Sequence, residues 1–200
     1  MALIGLTGLK NSGKDTVAAY LVKEHGYERR AFADPLKKSI AALLDIPFYE
    51  VDRYKNDPNV QVLLGREYVD ENDRSAYEAL NPALTFREFL QRYGTESHRD
   101  VPEMGLDFWV DLTLPVRGFY AERNIVVSDV RFDNEAKRIH TLDGIVVEVA
   151  RAGLDNQDQH RSEAGLQYVE ADYVLVNDGT LTDLKDGIES MLEHFSQQVG

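Results

Sequence analysis

The stretch Gly8-Leu9-Lys10-Asn11-Ser12-Gly13-Lys14-Asp15-Thr16 gathers two glycines, two lysines, hydroxyls and a carboxylate at one point of the chain. Gly8 and Gly13 allow the backbone to curl so that successive N–H groups converge on an anion. An apolar run, Ala2-Leu3-Ile4-Gly5-Leu6, precedes the loop, and Val17-Ala18-Ala19-Tyr20-Leu21-Val22 follows it. Read as strand, glycine loop and helix, this context predicts a phosphate-binding loop, with the positive end of the helix dipole facing the anion. Lys14 adds a full charge that reaches the outer phosphates. The usual pattern ends Gly-Lys-Ser/Thr, and its hydroxyl holds magnesium. Here Asp15 stands in that place and Thr16 follows. A carboxylate oxygen is also a hard ligand suited to magnesium, directly or through water.

Further chemistry-bearing residues fall at the ends of apolar runs. Ile125-Val126-Val127-Ser128-Asp129 reads as a buried strand ending in an acid, placed to hold magnesium or its water. Arg131 then stands at the carboxyl end of the strand, the ligand edge of a parallel sheet, where a plain surface salt bridge is its other reading. Asp34-Pro35 is a helix-start pair, and Asp34 reads equally as a cap or as a ligand-edge acid. Lys37, one turn on, could meet a substrate phosphate. Arg151 and Arg161 flank or lie in a polar stretch, Gly153 to Gly165, whose composition suits a mobile loop beside a cleft. They are the candidates to clamp a transferring phosphate. His160 has no metal-partner pattern beside it.

The elements that must position these groups follow from the apolar pattern. Gly26 ends the first helix, and Glu28 to Ala33 reads as a second strand. Leu36, Ile40 and Leu43/Leu44 give the next helix an apolar stripe. Residues 45–82 read as an insertion of short helices and loops. Thr85-Phe86-Arg87-Glu88 fits a capping box for a helix through about Ser97. Gly94-Thr95 inside it signals either the helix end or close approach by another group. Leu106 to Arg117 predicts another helix, whose Trp109 is a core residue or a platform for a base. Phe132-Asp133-Asn134-Glu135 opens a helix to about Thr141. Strands follow at Gly144 to Ala150 and Tyr173 to Val176, then a turn at Asn177-Asp178-Gly179 and a final amphipathic helix capped by Thr180. Five strands alternating with helices predict a three-layer α/β fold with a mostly parallel sheet. It is read as one domain over 1–200, with a helical insertion at 45–120 and a lid-like loop at 151–168.

The bulk properties agree. A 200-residue chain suits a single α/β domain with insertions. A net charge of −13 argues against a nucleic-acid backbone as partner, which needs a basic face, while leaving small phosphorylated substrates open. The absence of cysteine excludes disulfides and thiolate metal sites. No run reads as a membrane span or signal peptide, so a cytoplasmic protein is expected.

Taken together, several motifs resemble the bacteriophage-type deoxynucleoside monophosphate kinases. They are Gly8 to Thr16 with its Lys-Asp-Thr ending, Phe32-Ala33-Asp34-Pro35-Leu36-Lys37, Gln91 with Gly94-Thr95-Glu96, Trp109, Asp129-Val130-Arg131 with Asn134-Glu135, His160 to Gly165, and Asn177-Asp178-Gly179-Thr180. The resemblance implies a phosphate-loop kinase fold, ATP and magnesium, and transfer of the γ-phosphate to a deoxynucleoside monophosphate. It implies an ATP site at Lys10, Asn11, Ser12, Gly13, Lys14, Asp15 and Thr16, with Lys10 also near the acceptor phosphate. It sets Lys37, Gln91, Gly94, Thr95, Trp109 and Arg131 on the acceptor side, with Asp34 and Glu135, and Asn177 and Asp178 near the adenine. Lys14, Asp129, Arg131, Arg151 and Arg161 would be catalytic, and Asp15, Thr16 and Asp129 would attend the metal. A host cytoplasm is implied if the source is viral, and a homodimer stays open. Kinases of dephospho-coenzyme A or phosphomevalonate, and a non-catalytic nucleotide-binding switch, are the alternatives.

Overall fold

A computed structural model describes residues 2–62, 83–95, 105–116, 123–154 and 169–198. Among them the chain forms two compact units, Met1–Asp34 with Trp109–Gly200, and Pro35–Phe108.

The first unit holds a five-stranded sheet of β1 (Leu3–Thr7), β2 (Glu28–Arg30), β5 (Ile125–Val127), β6 (Ile145–Ala150) and β7 (Tyr173–Val176). The order is β2-β5-β1-β6-β7, and every pairing is parallel. Successive side chains on a strand point to opposite faces, so neighbouring residues feed two separate cores. Ile4, Leu6, Val126, Val147, Val149 and Leu175 pack on one face against Val17 and Leu21 of α1 (Lys14–His25) and Leu184, Ile188 and Met191 of α7 (Leu181–Gln198). Leu3, Ile125, Val127 and Val146 pack on the other against Val110 of α5 (Phe108–Thr113) and Ala136 and Ile139 of α6 (Asp133–Thr141). Sheet and two helical layers make the expected three-layer α/β fold. Each fully buried aliphatic side chain contributes about 1.5–3 kcal/mol.

Local signals set several helix ends. Gly26 adopts φ 69° at the end of α1. At α7, Asp183 N donates to Thr180 Oγ1 at 3.3 Å while Thr180 N donates to Asp183 Oδ2 at 2.7 Å. The helix expected over 106–117 is shorter. Pro115 disfavours helix at the residue before it, and long-range donors take the terminal carbonyls. Arg30 Nη1 donates to Thr113 O at 2.9 Å, and Arg138 Nη1 to Leu114 O at 2.6 Å. The strand expected through Ala33 also stops early, at Arg30, and α2 (Ala33–Leu43) begins where Asp34 was read as the cap. Asp34 instead lies in the first turn, 3.7 Å from Arg29 Nη1.

The second unit is built on Ile40, Ala41, Val51, Phe86, Phe89 and Leu90. These come from α2, α3 (Phe48–Asn56) and α4 (Phe86–Gly94). The capping box forms as expected, with Glu88 N donating to Thr85 Oγ1 at 3.2 Å and Thr85 N to Glu88 Oε2 at 2.9 Å. Leu44, just past the end of α2, packs against this core, whereas Leu43 is exposed. A two-stranded antiparallel sheet, β3 (Gln61–Val62) with β4 (Leu84–Thr85), was not foreseen.

Candidate active site

The loop between β1 and α1 leaves the carboxyl end of the central strand. Three of its residues take positive φ: Gly8 at 131°, Asn11 at 65° and Gly13 at 108°. The glycines were expected to do so. Asn11 was missed, although asparagine is the side chain that most readily joins glycine in this region. A Cβ on Gly8 would overlap the Val149 carbonyl, so the tight approach of the loop to β6 requires glycine there. Ser12 N donates to Leu9 O at 3.1 Å, and Val17 N to Gly13 O at 3.0 Å as the first bond of α1. Amides in the first turn of a helix have no intrahelical acceptor and face an anion. Lys14 Nζ donates to Gly8 O at 2.6 Å and Leu9 O at 2.7 Å, which holds its charge against the loop. The buried Ser12 hydroxyl has no hydrogen-bond partner among the described residues. An orphaned hydroxyl inside a curled backbone, beside a lysine and a helix N-terminus, fits a polyphosphate.

Asp15 and Thr16 are exposed in the first turn of α1. Both offer hard oxygen, the donor type magnesium takes, usually with substrate phosphates completing its shell. Among the described residues no group of three or more His, Cys, Asp or Glu side chains could hold a metal by itself.

Beside β1, the chain beyond β5 stays in register, with Val130 N donating to Leu6 O at 3.0 Å. Asp129 there reaches back to the start of α2. Its Oδ1 accepts from Phe32 N at 2.7 Å and its Oδ2 from Ala33 N at 3.0 Å. Loss of solvation pushes the carboxyl above the usual range, against the pull of those amides and of Arg131. Glu135, buried in α6, accepts from Arg131 N at 2.7 Å and Phe132 N at 3.1 Å through Oε2. It fixes the backbone that carries Arg131. The spacing from Phe132 to Glu135 is the signal, an acid at the third helical position reaching back to the helix start.

On the other side of β1, the ends of β6 and β7 meet the loop. Arg151 is exposed at the end of β6. Asn177 Nδ2 donates to Ser12 O at 2.7 Å, and Asp178 Oδ1 accepts from Ala152 N at 2.6 Å. Trp109, at the start of α5 in the same unit, is buried, with Thr113 Oγ1 donating to its carbonyl at 2.8 Å. Lys10 is exposed at the loop tip.

The second unit carries Lys37, Gln91, Gly94 and Thr95. Lys37 Nζ lies 2.9 Å from Oδ1 and 3.0 Å from Oδ2 of Asp52, an acid of the segment read from sequence as an insertion of short helices and loops. Gln91 is half-buried on α4. Gly94 ends that helix, and a Cβ there would lie 2.7 Å from Leu36 Cδ2. Both sequence readings of the glycine are therefore realised, with α2 as the closely approaching group. Thr95 N donates to the Arg92 and Gln91 carbonyls. Arg161 and His160 lie outside the described residues, as does all of the expected lid beyond Leu154.

Comparison with known proteins adds independent observations. The family model for deoxynucleotide monophosphate kinase matches residues 63–188. A protein of Acanthamoeba polyphaga mimivirus, provisionally named deoxynucleotide monophosphate kinase, is 32% identical over 98% of this chain and 99% of its own. The deoxynucleotide monophosphate kinase of Escherichia phage RB69 is 27% identical over 96% of this chain and 100% of its own. A dephospho-CoA kinase of Corynebacterium glutamicum is 26% identical over 96% and 98%. The family match over more than half the chain, joined by a relative similar from end to end, shows that this protein belongs to the deoxynucleotide monophosphate kinase family.

Proposed function

We propose that the protein transfers the γ-phosphate of ATP to a deoxynucleoside monophosphate, giving a deoxynucleoside diphosphate and ADP. The observation that carries this reading is the curled loop from Gly8 to Thr16, with Lys14 against its carbonyls and an unpartnered hydroxyl within it. Loop amides hold the β and γ phosphates, and Lys14 exchanges its two carbonyl partners for phosphate oxygens. Lys10 and Asn11 line the loop tip. Asp15 and Thr16 would hold magnesium, with Asp129 attending. When bound, that ion supplies positive charge to phosphate oxygens during transfer. Asp129 keeps further lone pairs after accepting two amides, so a structural and a metal-facing role are compatible.

Arg131, Arg151 and Arg161 stabilise charge on the moving group. Lys37, Gln91, Gly94, Thr95 and Trp109 serve the acceptor, with Asp34 and Glu135 supporting that side. The acceptor phosphate is already an anion at neutral pH, so no strong base is required. Catalysis is positioning plus electrostatics.

The dephospho-CoA kinase relative supports one second reading, a kinase of the same type acting on dephospho-CoA. A panel of deoxynucleoside monophosphates, dephospho-CoA and phosphomevalonate, each with ATP and magnesium, separates the two. ADP formed only with deoxynucleoside monophosphates supports the proposal. ADP formed only with a non-nucleotide acceptor or dephospho-CoA overturns it.

A further inference from the structure

The turn after β7 does not behave as a surface loop that merely lies near a base. Asn177 is fixed at the end of the sheet ladder, its N–H donating to Ala150 O at 2.7 Å. Its side-chain amide crosses to the phosphate loop and donates to Ser12 O at 2.7 Å. A Cβ on Gly13 would overlap that amide nitrogen, so Asn177 also sits flush against Gly13. The next residue, Asp178, accepts from Ala152 N just beyond β6. Both side chains are therefore engaged with protein backbone.

Planarity gives this contact a consequence. In a trans peptide the C=O and the following N–H point in opposite directions, and the described chain has no cis bond. Holding the Ser12 carbonyl toward Asn177 turns the Gly13 N–H away from it. Gly13 takes φ 108° in that arrangement, a conformation glycine adopts readily but does not by itself hold to, so the contact with Asn177 supplies the restraint. Rigid supports of this kind lower the ordering cost when a ligand binds.

We propose that Asn177 is a positioning residue for the phosphate loop, holding the Ser12–Gly13 peptide in its anion-binding orientation, rather than a contact to the adenine base. The proposal rests on the phosphate-binding reading of Gly8 to Thr16 and assigns Asn177 a role through Ser12. Its effect falls on the polyphosphate and is blind to the base.

The test compares wild-type protein with Asn177→Ala and Asn177→Asp, titrating ATP and inorganic tripolyphosphate, each with magnesium, by calorimetry at 25 °C. Asn177→Ala is expected to weaken both ligands by the same factor, about tenfold, equal to about 1.4 kcal/mol. Asn177→Asp, which sets an oxygen against the Ser12 carbonyl, is expected to weaken both further. Loss of ATP affinity with unchanged tripolyphosphate affinity would mean a base contact and overturn the proposal. A lowered melting temperature with wild-type affinity for both ligands would mean a role in stability alone, and would also overturn it. Failure of the kinase reading shows separately, as wild-type protein that binds tripolyphosphate but forms no ADP with any acceptor.

Discussion

Asp129→Asn isolates the contact that joins the end of β5 to the start of α2. In the wild type, one carboxylate oxygen accepts from Phe32 N at 2.7 Å and the other from Ala33 N at 3.0 Å. Asparagine has one oxygen, so its NH2 must face an N–H donor. One hydrogen bond to a charged group is lost, about 1.5–3 kcal/mol, and the survivor becomes neutral and weaker. Burying an amide rather than a carboxylate offsets part of this, because desolvation already disfavours the charged form. The expected net loss is about 2 kcal/mol, or about 4–8 °C in melting temperature for a chain of this size. Thermal unfolding followed by circular dichroism at pH 7 measures it, and Asp129→Ala, which leaves both amides without this partner, should lose more. Melting of both variants within about 1 °C of wild type would refute the capping role.

Lys14→Ala should lower turnover by about 10²–10³-fold, the scale for one preorganised donor at a developing charge, with circular dichroism unchanged; near-normal turnover would sink its catalytic assignment. Gly8→Ala places a Cβ at φ 131° and against the Val149 carbonyl, so urea unfolding should show a loss of about 2 kcal/mol or more, and ATP titration a matching loss of affinity. Glu28 accepts from Arg123 and Arg30, and these bonds, Arg123 first, hold its carboxyl below the usual range. Its stabilisation is therefore present above the unfolded pKa of about 4.3 and is lost as pH falls through the lower folded value. Glu28→Gln should lose less melting temperature than wild type between pH 6 and pH 3, and equal losses would contradict the sign.

The phosphate loop and the central strands were legible because their signals are local. Gly8, Gly13 and Lys14 sit in one short stretch, and the β-branched runs at 125–127 and 145–150 can be satisfied only in a buried sheet. The features that sequence missed have their causes far along the chain. β2 ends at Arg30 because Asp129 captures the Phe32 and Ala33 amides from 97 and 96 residues away. The short α5 combines a legible stop, Pro115, with an illegible one, the guanidinium groups of Arg30 and Arg138 on its last carbonyls. Two-residue strands such as β3 and β4 are too short to show any period. At the candidate site, residue types were readable but partners were not. Lys37 was read as a phosphate contact without its counter-ion Asp52, and Asn177 without its bond to the loop.

Phosphoryl transfer from ATP to a deoxynucleoside monophosphate is read out by following the γ-phosphate itself. Wild-type protein is mixed with magnesium, a deoxynucleoside monophosphate and ATP labelled at the γ position, and the products are separated over the first turnovers. Label is expected in the β position of the deoxynucleoside diphosphate, in step with ADP formed. Label released only as inorganic phosphate, or retained in ATP whichever deoxynucleoside monophosphate is supplied, would contradict it.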